Sequence, residues 1–473
     1  MIEKLTGQRW NLPRLRLSWI IVALALAGAA YLGTRPSSRR LILLGALGGG
    51  WLLLQHPDIS PFVLIMAALF VPIEFKTGTE VTLNSVTLAV PVFFGMWIFH
   101  SIQQHRMRWS GSRVDRPLLL FLLAGLLSLL VGNVLWDPAI PRPSGFTMVQ
   151  LGQWAIFAFS ALAFWLPAQV LCSENGLHRL TFLFLGVGGG VALAIAVFGV
   201  GYVIGPVTTL APFRTPFWVV LTGLAGGQIL FNPSLTNKWR GFLILVMLAV
   251  LHYAFIAQRE AVSNWVGVLA VLGVLVWLRF PRLRGWIVGG VMAMALLGIL
   301  FPTLYNFAGG DDEWIVSGGS RLALIQRVIE VTLRNPITGL GPAAYRPYTA
   351  NQPLVYNQAI WLTPKVNSHN NYVDIFAHTG LLGLALFLWF LGELGWLGWQ
   401  LSALHRSGFV GGYVNGMFAA WVGSLVIMLL LDWMLPFVYN VGFPGFQASL
   451  LVWLFLGGLV AIEQLDKNQR SNV

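Results

Sequence analysis

The richest chemistry in this sequence lies in Asn367-Ser368-His369-Asn370-Asn371-Tyr372-Val373-Asp374, followed by His378-Thr379-Gly380-Leu381-Leu382-Gly383. Two imidazoles, a carboxylate and several amides stand where a polar stretch meets a long apolar run. A helix is expected to begin near Asn370, with His369 at its N-terminus capped by Ser368 or Asn367. The positive end of a helix dipole disfavours imidazolium, so His369 suits the work of a general base. The same end attracts phosphate or another anion. Asn370, Asp374 and His378 then follow at i, i+4 and i+8 on one helical face, beside Tyr372. That stripe either supports the reactive group or bonds only to neighbouring helices.

Three arginines have the chemistry to hold an anion. Arg214 sits in Leu210-Ala211-Pro212-Phe213-Arg214-Thr215, Arg259 in Ala257-Gln258-Arg259-Glu260, and Arg321 opens an amphipathic segment. Guanidinium forks match phosphate oxygens bidentately. The competing reading is a snorkelling side chain or a local ion pair, with Glu260 at hand for Arg259. Asp311-Asp312-Glu313 offers carboxylates to a divalent cation, but adjacent carboxylates behind two glycines read as a solvated loop tip. The sequence holds no HExxH, phosphate-binding P-loop or GxSxG motif, and its one cysteine, Cys172, excludes an internal disulfide and a cysteine metal cluster. No cofactor is expected.

The elements that must position these groups are membrane spans. Of the 473 residues, 57% are hydrophobic and only 10% are charged, against about 25% charged in a soluble protein. The net charge of +12 gathers in short loops between apolar runs rather than in a nucleic-acid-binding patch. The first span, after Lys4, Arg9, Arg14 and Arg16, reads as uncleaved. Runs near the length needed to cross a bilayer fall at 18–33, 40–54, 60–74, 82–101, 117–134, 149–171, 179–205, 216–232, 239–256, 261–279 and 284–304. Three more, 372–400, 413–435 and 441–463, follow a gap. The expected fold is therefore an all-α polytopic membrane protein of roughly twelve to fourteen transmembrane helices. Residues 1–304 would form an N-terminal bundle, 305–371 a loop, and 372–473 the C-terminal helices, all in one integrated domain. Gly186, Gly188, Gly189 and Gly190 suggest close helix packing or a break.

Arg106, Arg108, Arg113 and Arg116, then Lys238 and Arg240, then Arg279, Arg282 and Arg284, alternate onto one face with the Lys467–Arg470 tail. That face is expected to be cytoplasmic. The Thr34–Arg40 turn, with Arg35, Arg39 and Arg40, falls on the other side. The loop at 305–371 is then extracytoplasmic, as are the three anion-binding arginines. Within it Ser320 is expected to cap a helix at Arg321–Arg334 that stops ahead of Pro336. Leu322, Ile325, Val328, Ile329 and Leu333 would line one face, and Arg327, Glu330 and Arg334 the other. Arg321 would project with Ile325 and Val328, its charge held by a partner.

Three motifs resemble those of the O-antigen ligase and polymerase superfamily. His369-Asn370, nine residues, then Gly380-Leu381-Leu382-Gly383 matches the signature His-[Asn/Ser/Gly]-x9-Gly-x-x-[Gly/Thr/Tyr]. Asn335-Pro336-Ile337-Thr338-Gly339-Leu340-Gly341-Pro342 resembles the family's NPxxGxGxG turn. Gln258-Arg259-Glu260-Ala261 stands in place of its Ser-Arg-Gly-Ala. The sequence departs from the pattern at Glu260 and Ala343, each in place of a glycine, and at Arg214-Thr215-Pro216-Phe217-Trp218, where only the arginine is kept. The resemblance spans roughly 180–440. It implies a GT-C-like bundle in a bacterial inner membrane and a metal-independent, inverting glycosyltransferase acting on the periplasmic or outer face. The donor would be a glycan on an undecaprenyl diphosphate carrier, and the acceptor a hydroxyl on a lipid A core or another glycan. In that scheme His369 is the base and Arg259, Arg321 and Arg214 bind the diphosphate. Asn370, Tyr372, Asp374 and Glu260 support them. The main alternative is a transporter or flippase of lipid-linked glycan, which would need charges at mid-span on several helices.

Overall fold

The computed structural model describes residue 50 and residues 52–471, apart from 80, 106–108, 110, 197–202, 204, 260–261, 308–318, 353, 357 and 362–366. Most of the unit Met1–His56, with the candidate spans 18–33 and 40–54 and the Thr34–Arg40 turn, therefore lies outside the described residues. Glu260 and Asp311-Asp312-Glu313 lie outside them as well.

The unit Pro57–Val473 is an all-α polytopic membrane protein. Its helices are α1 (Ser60–Phe70), α2 (Ser85–Gln103), α3 (Asp115–Val134), α4 (Phe146–Val170), α5 (Glu174–Ala196), α6 (Thr215–Phe231), α7 (Asn237–His252), α8 (Val262–Arg279), α9 (Arg284–Leu296) and α10 (Leu300–Phe307). After these come α11 (Gly319–Thr332), α12 (Tyr345–Ala350), α13 (Asn371–Leu404), α14 (Gly408–Met428) and α15 (Gly442–Ser471). Two antiparallel hairpins interrupt them. In one, β1 (Glu74–Lys76) pairs with β2 (Thr82–Asn84) with Phe75 opposite Leu83; in the other, β3 (Leu354–Tyr356) pairs with β4 (Ala359–Trp361) with Val355 opposite Ile360.

Among the described residues, eight helices are long and apolar enough to cross a membrane, nine if α8 and the segment after it count as one broken span. Each of the twelve apolar runs from 60–74 onward coincides with a helix or, at 284–304, with the pair α9 and α10. The run at 413–435 extends past its helix. Helix α14 stops at Met428, and residues 429–441 form an irregular segment containing Asp432 and Pro436. Proline cannot continue a helix, and a buried carboxylate needs backbone and amide donors that a continuous helix would not supply.

The core gathers on α6 and α15. Helix α6 is buried along nearly its whole length, and α15 contributes a fully buried apolar window. Between helices in lipid, close packing replaces the hydrophobic drive, and small residues allow it here. A Cβ on Gly227 of α6 would stand 2.2 Å from the carbonyl oxygen of Gly412 in α14. Of the glycines in α5, Gly189 packs closest; its added Cβ would lie 2.8 Å from Val246 of α7.

Helix α11 differs in part from expectation. It begins one residue before Ser320, ends at Thr332, and buries Ser320, Leu324, Val328, Val331 and Thr332. Leu322, Ile329 and Leu333 are exposed. The apolar stripe read from the sequence is thus split between a face packed on α12 and α13 and a face left outside. Arg327 pairs with Glu330 at 3.4 Å, and Arg334 pairs with Asp137.

Candidate active site

Helix α13 begins with its own capping residue. Asn370 has extended backbone, and its side-chain oxygen accepts the N–H groups of Tyr372 and Val373 at 3.0 and 3.1 Å. Asn367 and Ser368, expected as caps, instead shape the turn before it. Asn367 Oδ1 accepts the His369 N–H at 2.9 Å, and Ser368 Oγ accepts the Asn370 N–H at 3.1 Å. Between them His369 is held at φ +50°, a left-handed conformation costing a non-glycine residue about 1–3 kcal/mol.

The amides that follow tie this turn to residues 425–435. Asn370 Nδ2 donates to Leu429 O at 2.9 Å and Tyr372 Oη donates to Leu425 O at 3.1 Å. Asn371 is buried; its Nδ2 donates to Leu435 O at 2.9 Å, and its Oδ1 accepts from Met434 N and Leu435 N at 3.0 and 3.3 Å. These bonds bring Asp432 within electrostatic reach of His369. Asp432 is 1% exposed and is held by the Phe437 N–H at 3.2 Å and by Asn440 Nδ2 at 3.1 Å.

His369 is half-buried, and its ring nitrogens are hydrogen-bonded to no described residue. Burial lowers its pKa below the ordinary histidine value, the positive charge of Arg321 lowers it further, and Asp432 opposes both. The net result is a neutral imidazole at neutral pH with a guanidinium and a carboxylate acting on it. Arg321 is half-buried on the first turn of α11.

Arg214 meets the segment after α14 from another direction, at Trp433. It is the residue before α6, with its guanidinium 5.1 Å from the Trp433 ring. Its Nε is buried with no hydrogen-bond partner among the described residues, and burial lowers its pKa, with Tyr253 opposing. A half-buried guanidinium with an unused donor is suited to an anion. Arg259 is different: it follows a π-helical turn, Tyr253–Ala257, that carries Tyr253, and its side chain is exposed. Its carbonyl accepts from Trp265 Nε1 at 3.0 Å, and its guanidinium contacts no member of the His369 group among the described residues.

Asp374 and His378 lie behind the turn, facing inward. Asp374 Oδ1 accepts from Ser368 Oγ at 2.5 Å and from Tyr345 Oη at 3.1 Å. Tyr345 is buried and stacked on Phe437 at 4.5 Å; burial and the neighbouring carboxylates Asp374 and Asp432 push its phenol well above the ordinary tyrosine value. His378 Nδ1 accepts the Ala343 N–H at 3.0 Å, which leaves the proton on Nε2, and its ring packs among Phe157, Tyr345 and Phe437. Ala343 has φ +58° where the family motif carries glycine, so the chain retains the turn with an alanine in a conformation glycine favours.

The glycines of the signature have a steric role. Helix α13 is broken at Gly380, φ +66°, and the turn after α11 docks into the break. Leu340 N donates to Ala377 O, Leu381 N to Pro336 O and Leu382 N to Ile337 O, at 3.0, 2.9 and 3.1 Å. A Cβ on Gly380 would stand 2.2 Å from Ile337 O, and one on Gly339 would stand 2.5 Å from Gly380 N. The two motifs therefore recognise each other, and their docking holds α13, whose N-terminus follows the His369 turn.

Asp432 escaped the sequence reading because it lay inside an apolar run taken as a span. A lone carboxylate four residues before a proline in such a run is itself the signal. Tyr345, Arg346 and Tyr439 were also missed, and nothing in their local sequence separates them from ordinary loop residues.

No curated protein matches the chain. The family model described as O-antigen ligase matches residues 245–388, less than a third of the chain. The matched segment contains Arg259, Arg321, the 335–342 turn, His369 and the Gly380–Gly383 quartet; Arg214 and Asp432 lie outside it. Over that segment the chain is similar to the O-antigen ligase family.

Proposed function

We propose that the protein transfers a glycan from an undecaprenyl diphosphate carrier to a hydroxyl acceptor, with inversion at the anomeric carbon, on the periplasmic face of a bacterial inner membrane. The observation that carries this reading is a neutral His369 under the charges of Arg321 and Asp432 at one end of α13, with Arg214 over the ring of Trp433, the residue after Asp432. His369 accepts the proton of the acceptor hydroxyl as its oxygen attacks the anomeric carbon. The bond to the diphosphate breaks, and the electron pair leaves with the diphosphate. Arg321 and Arg214 stabilise the charge gathering on that leaving group, and the exposed Arg259 is free to close on it from solvent. Asp432 stabilises the imidazolium that forms.

The acceptor is assigned to a neighbouring cleft of about 660 Å³ lined by Arg142, Ser144, Arg346, Asn351, Tyr439 and Thr79, among others. Arg346 is buried and stacks 3.6 Å over the Tyr439 ring. It adjoins Tyr345, which bonds Asp374, and Tyr439 adjoins Asn440, which bonds Asp432. The cleft is thus linked to the base through residues next to one another in the chain. Asn370, Tyr372 and Asp374 position the turn rather than touch substrate.

Proteoliposomes given undecaprenyl diphosphate glycan and a panel of hydroxyl acceptors test the reading. The expected products are a new glycosidic bond and free undecaprenyl diphosphate, one for one. Movement of the intact lipid-linked glycan across the bilayer with no new bond would instead establish a flippase.

A further inference from the structure

At the other end of α13 a cavity of about 490 Å³ opens between the ends of α8, α13 and the start of α9. It is lined by Arg279, Arg284, Arg406, Trp399, Ser402 and Asn415, with Phe231, Leu278, Pro281 and Ala403. We propose that this cavity holds the phosphate of an anionic phospholipid whose acyl chains lie against α9. The proposal is independent of the glycosyl-transfer reading.

Charge makes the first case. Three guanidiniums line one cavity, no carboxylate lines it, and none of the three forms an ion pair among the described residues. Local contacts aim them. Arg284 Nε donates to Trp277 O at 2.8 Å with its guanidinium 5.3 Å from the Trp277 ring. Arg406 Nε donates to Ala403 O at 3.3 Å, and Arg279 stands 5.9 Å from the Phe280 ring. Each still has a terminal fork of donors to offer, the geometry that phosphate oxygens accept. Ser402 and Asn415 are bonded to each other at 2.7 Å and complete a polar floor.

The surroundings make the second case, and they separate a lipid from a free anion. Helices α8 and α9 meet at 110°, so α9 leaves the bundle directly beside the cavity. Trp286, Ile287, Val291, Met292 and Leu296 of α9 are exposed, and α9 buries no residue. Exposed Trp396 and Trp399 flank the other wall. Aromatic side chains of this kind mark the membrane interface, and basic pockets between spans take anionic headgroups. A phosphate bound in the cavity thus has an apolar wedge next to it that suits the chains of its own lipid.

The test is thermal unfolding of the delipidated full-length protein in detergent, with added phosphatidylglycerol, phosphatidylcholine or inorganic phosphate. A lipid that binds only the folded state raises the midpoint. Phosphatidylglycerol is expected to raise it by several degrees more than phosphatidylcholine, and inorganic phosphate to leave it in place. The variant R279Q/R284Q/R406Q should lose the phosphatidylglycerol excess, whereas K467Q/R470Q, basic residues outside the cavity, should retain it. Equal shifts with both lipids, a shift reproduced by phosphate, or an excess surviving in the triple variant would each overturn the proposal. If the triple variant does not fold, native mass spectrometry of the wild type and of R406Q decides: the wild type should retain phosphatidylglycerol over phosphatidylcholine and R406Q should retain less. Unselective retention contradicts it.

Discussion

At the scale of single residues, the site is a competition for the charge of one imidazole. Burial and Arg321 hold His369 neutral, and Asp432 pulls the other way. A base works in its neutral form, so the rate of transfer should rise as pH climbs through the depressed histidine pKa and stay level across neutral pH. Arg321→Gln removes a charge that disfavours imidazolium, so the acid limb of the pH–rate profile should move to higher pH while donor binding weakens. Asp432→Asn removes the group that favours imidazolium and should move the same limb to lower pH with a reduced plateau. Opposite displacements in the two variants are the signature; parallel ones would show that the limb belongs to another group. Loss of the imidazole itself, in His369→Ala, should cost roughly 10²–10⁴ in rate with the protein still folded, because the ring makes none of the bonds that form the turn. His378 shows the converse. Its place on the stripe from Asn370 suggested chemistry, but its Nδ1 is used by Ala343 and its ring is walled by aromatics, so it belongs to the scaffold.

At the scale of elements, the sequence made the helices legible and the interruptions only partly so. Twelve apolar runs from 60–74 onward mark helices because in lipid a chain must satisfy its backbone within itself, and apolar length is a direct record of that. The Gly380 break inside α13 and the end of α14 before Asp432 are set by tertiary docking and by buried polar bonds, which leave only single-residue traces. For α11 the apolar stripe was visible, but periodicity alone does not distinguish a face packed on protein from one turned outward. Two variants follow from the docking. Gly380→Ala should lose about 3 kcal/mol or more, from left-handed strain together with a clash on Ile337 O, seen as a lowered unfolding midpoint and little folded protein. Asn371→Ala removes three bonds to Met434 and Leu435 and should cost about 2–4 kcal/mol at typical values per buried bond. Because it loosens the segment carrying Asp432, its plateau rate should fall more than its donor affinity.

At the scale of the whole molecule, the account depends on which face of the membrane His369 occupies. Basic loops at the far ends of the spans argue that the His369 end is outside. In a Cys172→Ser background, Asn351→Cys should react with an impermeant maleimide applied from the periplasmic side, and Arg470→Cys only after the membrane is opened. The reverse pattern would turn the protein over and remove periplasmic lipid-linked donors from consideration. The central claim is that this end of α13 makes a glycosidic bond through His369. Its most direct test is single-turnover transfer from undecaprenyl diphosphate glycan to a hydroxyl acceptor in proteoliposomes, comparing wild type with His369→Ala at matched donor occupancy. The account predicts product from the wild type and a rate at least about 10²-fold lower in the variant, with donor still bound; transfer at an undiminished rate in His369→Ala would contradict it.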